Sequence, residues 1–274
     1  MKANFETLRK ATLGDVRAAV RSGDYAGQTA GLAAGCLQAN LVVLPRSEAA
    51  AFEQFCALNP KPCPLVGKTQ LGDPLFLSLG AQVDVRSDLP SYNVYRNGAL
   101  TERLTDLTDV WTDDLVAFAL GCSFTFERAL ERHGIGLWHI AHNKTVPMFR
   151  TNLPLASVGP FGGTMVVSMR AIEAAKVEQA SLISAQYPWA HGDPVHIGKP
   201  SDIGISDIAH PDWGDATPVA SGEVPMFWAC GVTPQAAVID AKLPFAITHT
   251  PGHMLITEVP EDRDVRAMPR ASSA

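Results

Sequence analysis

Residues 41–56 read LVVLPRSEAAAFEQFC. The run Leu41-Val42-Val43-Leu44 is short, continuous and apolar, and Pro45 closes it, which is the pattern of a buried strand. Ser47 then stands where it can cap a helix, and Phe52, Phe55 and Cys56 fall on one face of that helix. The breaker run Asn59-Pro60-Lys61-Pro62-Cys63-Pro64 ends it. A strand passing directly into a helix is the α/β rhythm.

Upstream, Thr12 and Asp15 form a helix-start box, Leu13, Val16, Ala19 and Val20 share a helical face, and Gly23 stops it. Residues 24–40, rich in Gly, Ala and Thr, lead into the 41–44 run. Downstream, Gln82 to Arg86 is strand-like, and Asn97-Gly98 between Val94-Tyr95 and Ala99-Leu100 is a two-residue hairpin signal. Thr112 with Asp113 and Asp114 predicts a helix carrying Leu115, Val116, Phe118 and Ala119, interrupted near Gly121-Cys122. A second helix is expected from Phe124 to His133, ended by Gly134.

Farther along, Val146 to Phe149 and Met165 to Met169 read as strands, the second after the turn Gly159 to Gly163, and residues 171–180 read as a helix. Residues 187–225 lose all periodicity, and a loop of that length in a globular chain is usually functional or disordered. Two tryptophans and several isoleucines there favour order. Met226 to Ala229 is strand-like, Thr233-Pro234 opens a helix, and Phe245 to Thr248 with Met254 to Glu258 resembles a hairpin.

With 274 residues, 46% apolar and 18% charged, the chain can bury a sizeable core, which excludes disorder, a coiled coil and a disulfide-stapled miniprotein. A net charge of -6 without blocks of like charge argues against nucleic acid or an anionic membrane as partner and for a small molecule. Five cysteines without close spacing read as thiols of a reducing compartment. The first 20 residues lack a signal-peptide core and no apolar run approaches a membrane span, so a cytoplasmic location is expected and a homo-oligomer stays open.

Chemistry concentrates at two places. In VPMFWACGVTPQ, residues 224–235, a strand delivers Cys230 and Gly231 to the start of a helix, where amide groups and the helix dipole lower a thiol's pKa. The plain alternative is a small buried hydrophobe. In GCSFTFE, residues 121–127, Cys122 precedes a capping Ser123, and Glu127 lies in the first helical turn. Phe124, Phe126 and Leu130 around Glu127 predict a raised pKa, suited to a general acid or base, with a purely dipole-complementing role as the alternative.

Arg150 and Arg170, each associated with a strand, are candidates to hold a substrate carboxylate, and Asn40 joins Gly231 as a binding candidate. His249 and His191 are secondary candidates for proton transfer. Pro251-Gly252 breaks the helical spacing that a two-histidine zinc motif at His249 and His253 would need. A divalent metal held in loops by His191, His196, Asp207, Asp212 and Asp215 stays open, although no cofactor is expected. No dinucleotide fingerprint, P-loop or nucleophile elbow occurs.

The segments TAGLAAGCLQANLVVLP, FCALNPKPCPL, GCSFTFE, VPMFRTN, VVSMR, HGDPVHIG, PDWGD, FWACGVT and HTPGHM, in one order from about residue 5 to residue 258, resemble the D-glutamate cyclase family, whose bacterial members carry hydro-lyase names. The resemblance implies a three-layer α/β/α domain with a mixed sheet plus a smaller α+β domain. We place the main domain at residues 1–109 and 171–274 and the smaller at 110–170. It further implies a carbon–oxygen lyase acting on a small amino or hydroxy acid, D-glutamate cyclisation to 5-oxo-D-proline being the example. A two-cysteine racemase and a non-catalytic small-carboxylate binding protein are the alternatives.

Overall fold

The computed structural model describes residues 3–263. In chain order its elements begin α1 (Phe5–Leu8), α2 (Leu13–Arg21), β1 (Cys36–Pro45), α3 (Arg46–Leu58), β2 (Leu65–Lys68), β3 (Tyr92–Arg96), β4 (Ala99–Leu104), β5 (Leu115–Gly121), α4 (Phe124–Arg132) and α5 (Trp138–Ala141). They continue β6 (Met148–Pro154), β7 (Thr164–Glu173), α6 (Val177–Ala185), β8 (His196–Ile197), β9 (Glu223–Ala229), α7 (Val232–Asp240), β10 (Ala246–His249) and β11 (Leu255–Pro260). The α/β class read from the sequence holds. The chain forms two compact units. The first takes the described residues up to Gln54, Leu65–Gly121 and those from Val238 on, and the second takes Phe55–Pro64 and Cys122–Ala237.

In the first unit β1 is the central strand of a sheet ordered β2-β5-β1-β10-β3-β4. One edge of β1 pairs with β5 from Ala39 to Pro45, and the other is shared by β10, at Val42 and Val43, and β11, from Cys36 to Ala39. Every strand pair among the described residues is antiparallel, so the expected mixed sheet is corrected to an antiparallel one. The expected C-terminal hairpin is corrected too: β10 and β11 each pair with β1 rather than with one another. Where they part, the Leu41 N–H donates to His249 Nδ1 at 3.1 Å, and Pro251, which has no N–H, follows.

The predicted start of α2 is present, with Thr12 and Asp15 in a reciprocal capping box, a contact worth about 1 kcal/mol. Its buried Val16 and Val20 pack with Leu8, Tyr25, Leu32, Ala33 and Ile256. The hairpin is also present, since Asn97 (φ 51°) and Gly98 (φ 78°) take the two left-handed conformations that a tight β3–β4 turn demands.

Two sequence expectations fail in this unit. Leu115 to Gly121 is a strand, because all seven residues are buried between neighbours on both sides, and a short run that is apolar throughout carries no period to separate strand from helix. Thr112 Oγ donates to Asp114 Oδ1 at 2.5 Å rather than capping. Residues 82–86 form no strand beyond one bridge, Leu75 to Asp84. Their polar groups are met locally instead: Asp84 Oδ1 accepts the Arg86 N–H, and the Val85 carbonyl accepts from Tyr92 Oη.

The second unit is built on the antiparallel sheet β6-β7-β9-β8. Strand β7 runs from Thr164 to Glu173 and pairs with β9 from Val167 to Glu173. A boundary at 170 would cut β7 and part it from β9, whereas this unit takes Phe55–Pro64 and Cys122–Ala237 in place of the expected 110–170, and the helix expected over 171–180 begins only at Val177. The aperiodic 187–225 stretch is ordered, with Ile203 and Ile205 packed against Phe149, Val167, Met169 and Phe227. No helix among the described residues is long and apolar enough to cross a membrane.

Candidate functional site

The site is built in the second unit where the middle of β7 meets the first turn of α4. Ser168 and Arg170 are two apart on β7 and therefore face the same way. Arg170 is 1% exposed and spends all five of its N–H donors on protein groups. Nε donates to Glu127 Oε1 at 3.0 Å, and Nη2 donates to the same oxygen. Nη2 also donates to Ser123 Oγ at 3.1 Å, and Nη1 to Ser168 Oγ at 2.8 Å and the Ser168 carbonyl at 3.4 Å. The guanidinium carbon lies 4.9 Å from the Phe126 ring centre and 5.2 Å from that of Trp228.

Three sequence expectations are corrected by this arrangement. Arg170 has no donor left with which to hold a substrate carboxylate. Ser123 does not cap α4, because its hydroxyl accepts from Arg170 instead. Glu127 does not have a raised pKa. Burial pushes it up, but the Arg170 charge, His139 and their hydrogen bonds outweigh burial and hold it well below the usual carboxylate range. The apolar neighbours in sequence told only half of its surroundings. His139, 5% exposed, completes the cluster with Nε2 3.4 Å from Glu127 Oε1.

Cys122 and Cys230 each occupy the turn that leads a strand into a helix, and each thiol accepts the backbone N–H two residues on, from Phe124 and Val232. Those amides do draw the thiol pKa down, as expected, yet burial dominates and pushes Cys122 up to about 12 and Cys230 up to about 11. Both are thiols at neutral pH, a correction to the expected thiolate. The convergence of the two segments holds: Cys122 feels the charges of Glu127, Cys230 and Arg170, and Cys230 those of Arg170 and Glu127. Around the buried Gly231, the N–H groups of Cys230, Val232 and Thr233 already have acceptors in the Val166 carbonyl, the Cys230 thiol and the Cys230 carbonyl.

His191, 1% exposed, lies within the field of the same Arg170. Its Nδ1 is 2.7 Å from the Lys61 carbonyl oxygen. A carbonyl only accepts, so Nδ1 carries the proton and Nε2 the lone pair. Burial lowers the His191 pKa to about 4. Arg150 is exposed, stacks on the Trp213 ring at 5.0 Å, and has its own N–H tied to Asp212 Oδ2 at 2.8 Å. Trp213 packs against the buried cluster of Val146, Met148, Val166 and Ala236, against which Cys230 also packs.

Asn40 and His249 belong to the first unit. Asn40 donates Nδ2 to the carbonyls of Gly121 at 2.8 Å and Leu120 at 3.4 Å, which pins β1 to β5. His249 is lowered to about 4 by burial, and its Nδ1 lies 3.1 Å from the Leu41 nitrogen and 3.4 Å from the Leu41 carbonyl oxygen.

Among the described residues no three His, Cys, Asp or Glu side chains come together as a metal site. The loop residues weighed for one are engaged elsewhere. Asp207 binds His210, His196 contacts the Lys199 carbonyl, and Asp215 accepts the Thr145 N–H. Sequence reasoning missed His139, Ser168 and Trp228. The two-residue spacing of Ser168 and Arg170 on one strand was a usable signal for the first pair; nothing local marks His139.

The comparisons bear on the family of the chain. A family description, D-glutamate cyclase, matches residues 116–258, just over half of the chain. A protein named "Putative hydro-lyase" from Dinoroseobacter shibae is 54% identical over 261 residues, covering 95% of this chain and 87% of its own. A similarly named protein from Ruegeria pomeroyi is 53% identical over 265 residues, covering 97% and 96%. Among solved structures, a nitrogen repressor-like protein from Methanococcus jannaschii covers 76% of this chain and 80% of its own at 9% identity and a TM-score of 0.37, too slight a likeness to bear on fold or chemistry. With relatives this similar along nearly its whole length, the chain belongs to the D-glutamate cyclase family.

Proposed function

We propose that the protein is a carbon–oxygen hydro-lyase acting on a small amino or hydroxy acid, and that it closes D-glutamate to 5-oxo-D-proline with release of one water. The observation that carries this reading is the buried neutral His191 with its Nε2 lone pair set by Lys61, in the field of the Arg170–Glu127–His139 cluster. Ring closure needs the amine in its neutral form, and a neutral imidazole with an open Nε2 lone pair accepts the amine N–H hydrogen bond that holds and orients that form. The amine nitrogen attacks the distal carboxyl carbon, a C–N bond forms, and the C–O bond breaks as water leaves.

Two further parts of the site fit this chemistry. Arg150, an exposed residue whose guanidinium carbon lies over the Trp213 ring, is the cation suited to a substrate carboxylate. The Gly231 N–H and the protonated thiols of Cys122 and Cys230 supply weak donors for the developing oxyanion and a proton for the departing hydroxide. Arg170 and Glu127 act as positioning residues, a buried ion pair whose charges act on Cys122 and Cys230 and, from Arg170, on His191. The racemase alternative is disfavoured because it needs a thiolate, and burial holds both thiols protonated.

The test is a panel of D- and L-amino acids and hydroxy acids followed by NMR, on the wild type, His191→Asn and Arg150→Ala. Ring closure or loss of water is expected in the wild type, with kcat reduced about a hundredfold or more in His191→Asn and KM raised in Arg150→Ala. Ligand-induced thermal stabilisation without turnover would replace the enzyme reading with that of a binding protein. Exchange of the α-proton without loss of water would restore the racemase.

A further inference from the structure

The run Asn59-Pro60-Lys61-Pro62-Cys63-Pro64 meets the site through Lys61 and is itself held at several points within the second unit. Asn59, 7% exposed, donates Nδ2 to the carbonyls of Phe55 at 2.8 Å and Ala156 at 2.9 Å, and its Oδ1 accepts the Ala156 N–H at 2.9 Å. The Cys63 N–H returns to the Asn59 carbonyl at 3.0 Å, and the buried free thiols of Cys63 and Cys56 are hydrogen-bonded to one another. Lys61 sits inside this closed turn between two prolines, whose rings fix φ at positions 60 and 62.

Lys61 grips the tripeptide His191-Gly192-Asp193 at both ends. Its carbonyl takes the His191 Nδ1–H at 2.7 Å, and its Nζ lies 2.9 Å from Asp193 Oδ1 and 3.1 Å from the Asp193 carbonyl. The tripeptide is in a conformation that needs such a grip, with φ at 79° for His191 and 69° for Gly192. A left-handed residue with a side chain is uncommon, and it persists where its surroundings over-determine it.

We propose that the proline-framed Lys61 is the positioning element of His191, fixing its imidazole in the Nδ1–H tautomer so that Nε2 alone presents a lone pair to a substrate hydrogen-bond donor. The catalytic meaning of that tautomer rests on the function proposed above, whereas the tautomer itself does not. A carbonyl held rigidly opposite Nδ1 leaves the other tautomer with two lone pairs face to face, so the frame selects one form before any substrate binds.

The experiment is long-range proton–nitrogen NMR of the histidine side chains near neutral pH, on the wild type, His191→Asn, Pro62→Ala and Asp193→Asn, with turnover measured in parallel. The wild type should show a neutral Nδ1–H histidine that vanishes in His191→Asn. Pro62→Ala should average this signal between tautomers and lower kcat about tenfold or more with little change in KM, the mark of a misplaced rather than a missing group. Asp193→Asn, at an exposed position that leaves folding intact, should do the same to a smaller degree. His191 in the Nε2–H form, or a Pro62→Ala variant with unchanged tautomer, overturns the proposal. An averaged tautomer with undiminished turnover sustains the positioning role and removes His191 from the reaction.

Discussion

Arg170 reaches Oε1 of Glu127 through both Nε and Nη2, with 1% of the arginine side chain and 3% of the glutamate exposed. An ion pair so enclosed makes its neighbours depend on both partners. Alone, either charge would be stranded in the interior, and the two rings beside it would face an uncompensated ion.

Glu127→Gln should therefore destabilise the second unit by about 3–5 kcal/mol, because the Arg170 charge is left without its counter-charge. Arg170→Met should do the same for the carboxylate. The double variant should recover much of the loss, since neither charge then remains buried. Urea unfolding of the three variants checks this, and additive losses would show that the two side chains are not coupled.

The pH dependence of stability has a definite sign. His191 and His249 are both lowered by burial to about 4 from an ordinary 6.5. Between those values the unfolded chain binds protons that the folded one refuses, so stability is full above about pH 6.5 and falls as the pH drops toward 4, by about 1.4 kcal/mol per pH unit for each histidine. Glu127, also lowered, loses its contribution at still lower pH, below the 4.5 of an ordinary glutamate. Unfolding free energies measured between pH 7.5 and pH 4.5 should show the slope of two protons in the wild type and of one in His191→Asn. A flat profile would mean that neither imidazole is held neutral.

What the sequence made legible is what is local. The Thr12 box, the Asn97-Gly98 turn and the strand-to-helix turn at Cys230 are each set by a few adjacent residues, and each is present. The 115–121 strand was misread because an unbroken apolar run looks alike in a buried helix and a central strand, and only the sheet around it decides. In the site, the positions of Glu127 and the two cysteines were legible, but their ionisation was not. Glu127 is charged because of an arginine 43 residues away, and the thiols stay protonated because their burial, greater at Cys122 than at Cys230, raises their pKa. His139 joins the cluster through tertiary packing alone.

Native Cys122 and Cys230 should resist alkylation. With the thiol pKa at about 12 and about 11, the thiolate fraction near pH 8 is far below that of an ordinary cysteine. Iodoacetamide labelling followed by peptide mass spectrometry should find these two sites modified much more slowly in the folded protein than in urea. Labelling at the rate of a free thiol would mean that the amides of Phe124 and Val232 prevail over burial, and it would reopen thiolate chemistry.

Trp228 offers a separation of packing from hydrogen bonding. Its ring lies over Arg170 and 5.4 Å from the Phe126 ring centre, while Nε1 donates to Ser184 Oγ at 3.0 Å. Trp228→Phe keeps an aromatic face but leaves the Ser184 hydroxyl without that donor, and should lower stability by about 1–2 kcal/mol. Trp228→Leu removes the ring as well, and the lost stacking and cation–π contact should bring the loss to about 3 kcal/mol or more. Unfolding both variants in urea separates the two contributions, since Ser184 loses the same partner in each. Equal losses would mean that the ring contributes nothing to holding the Arg170 guanidinium, and that its five hydrogen bonds alone keep it in place.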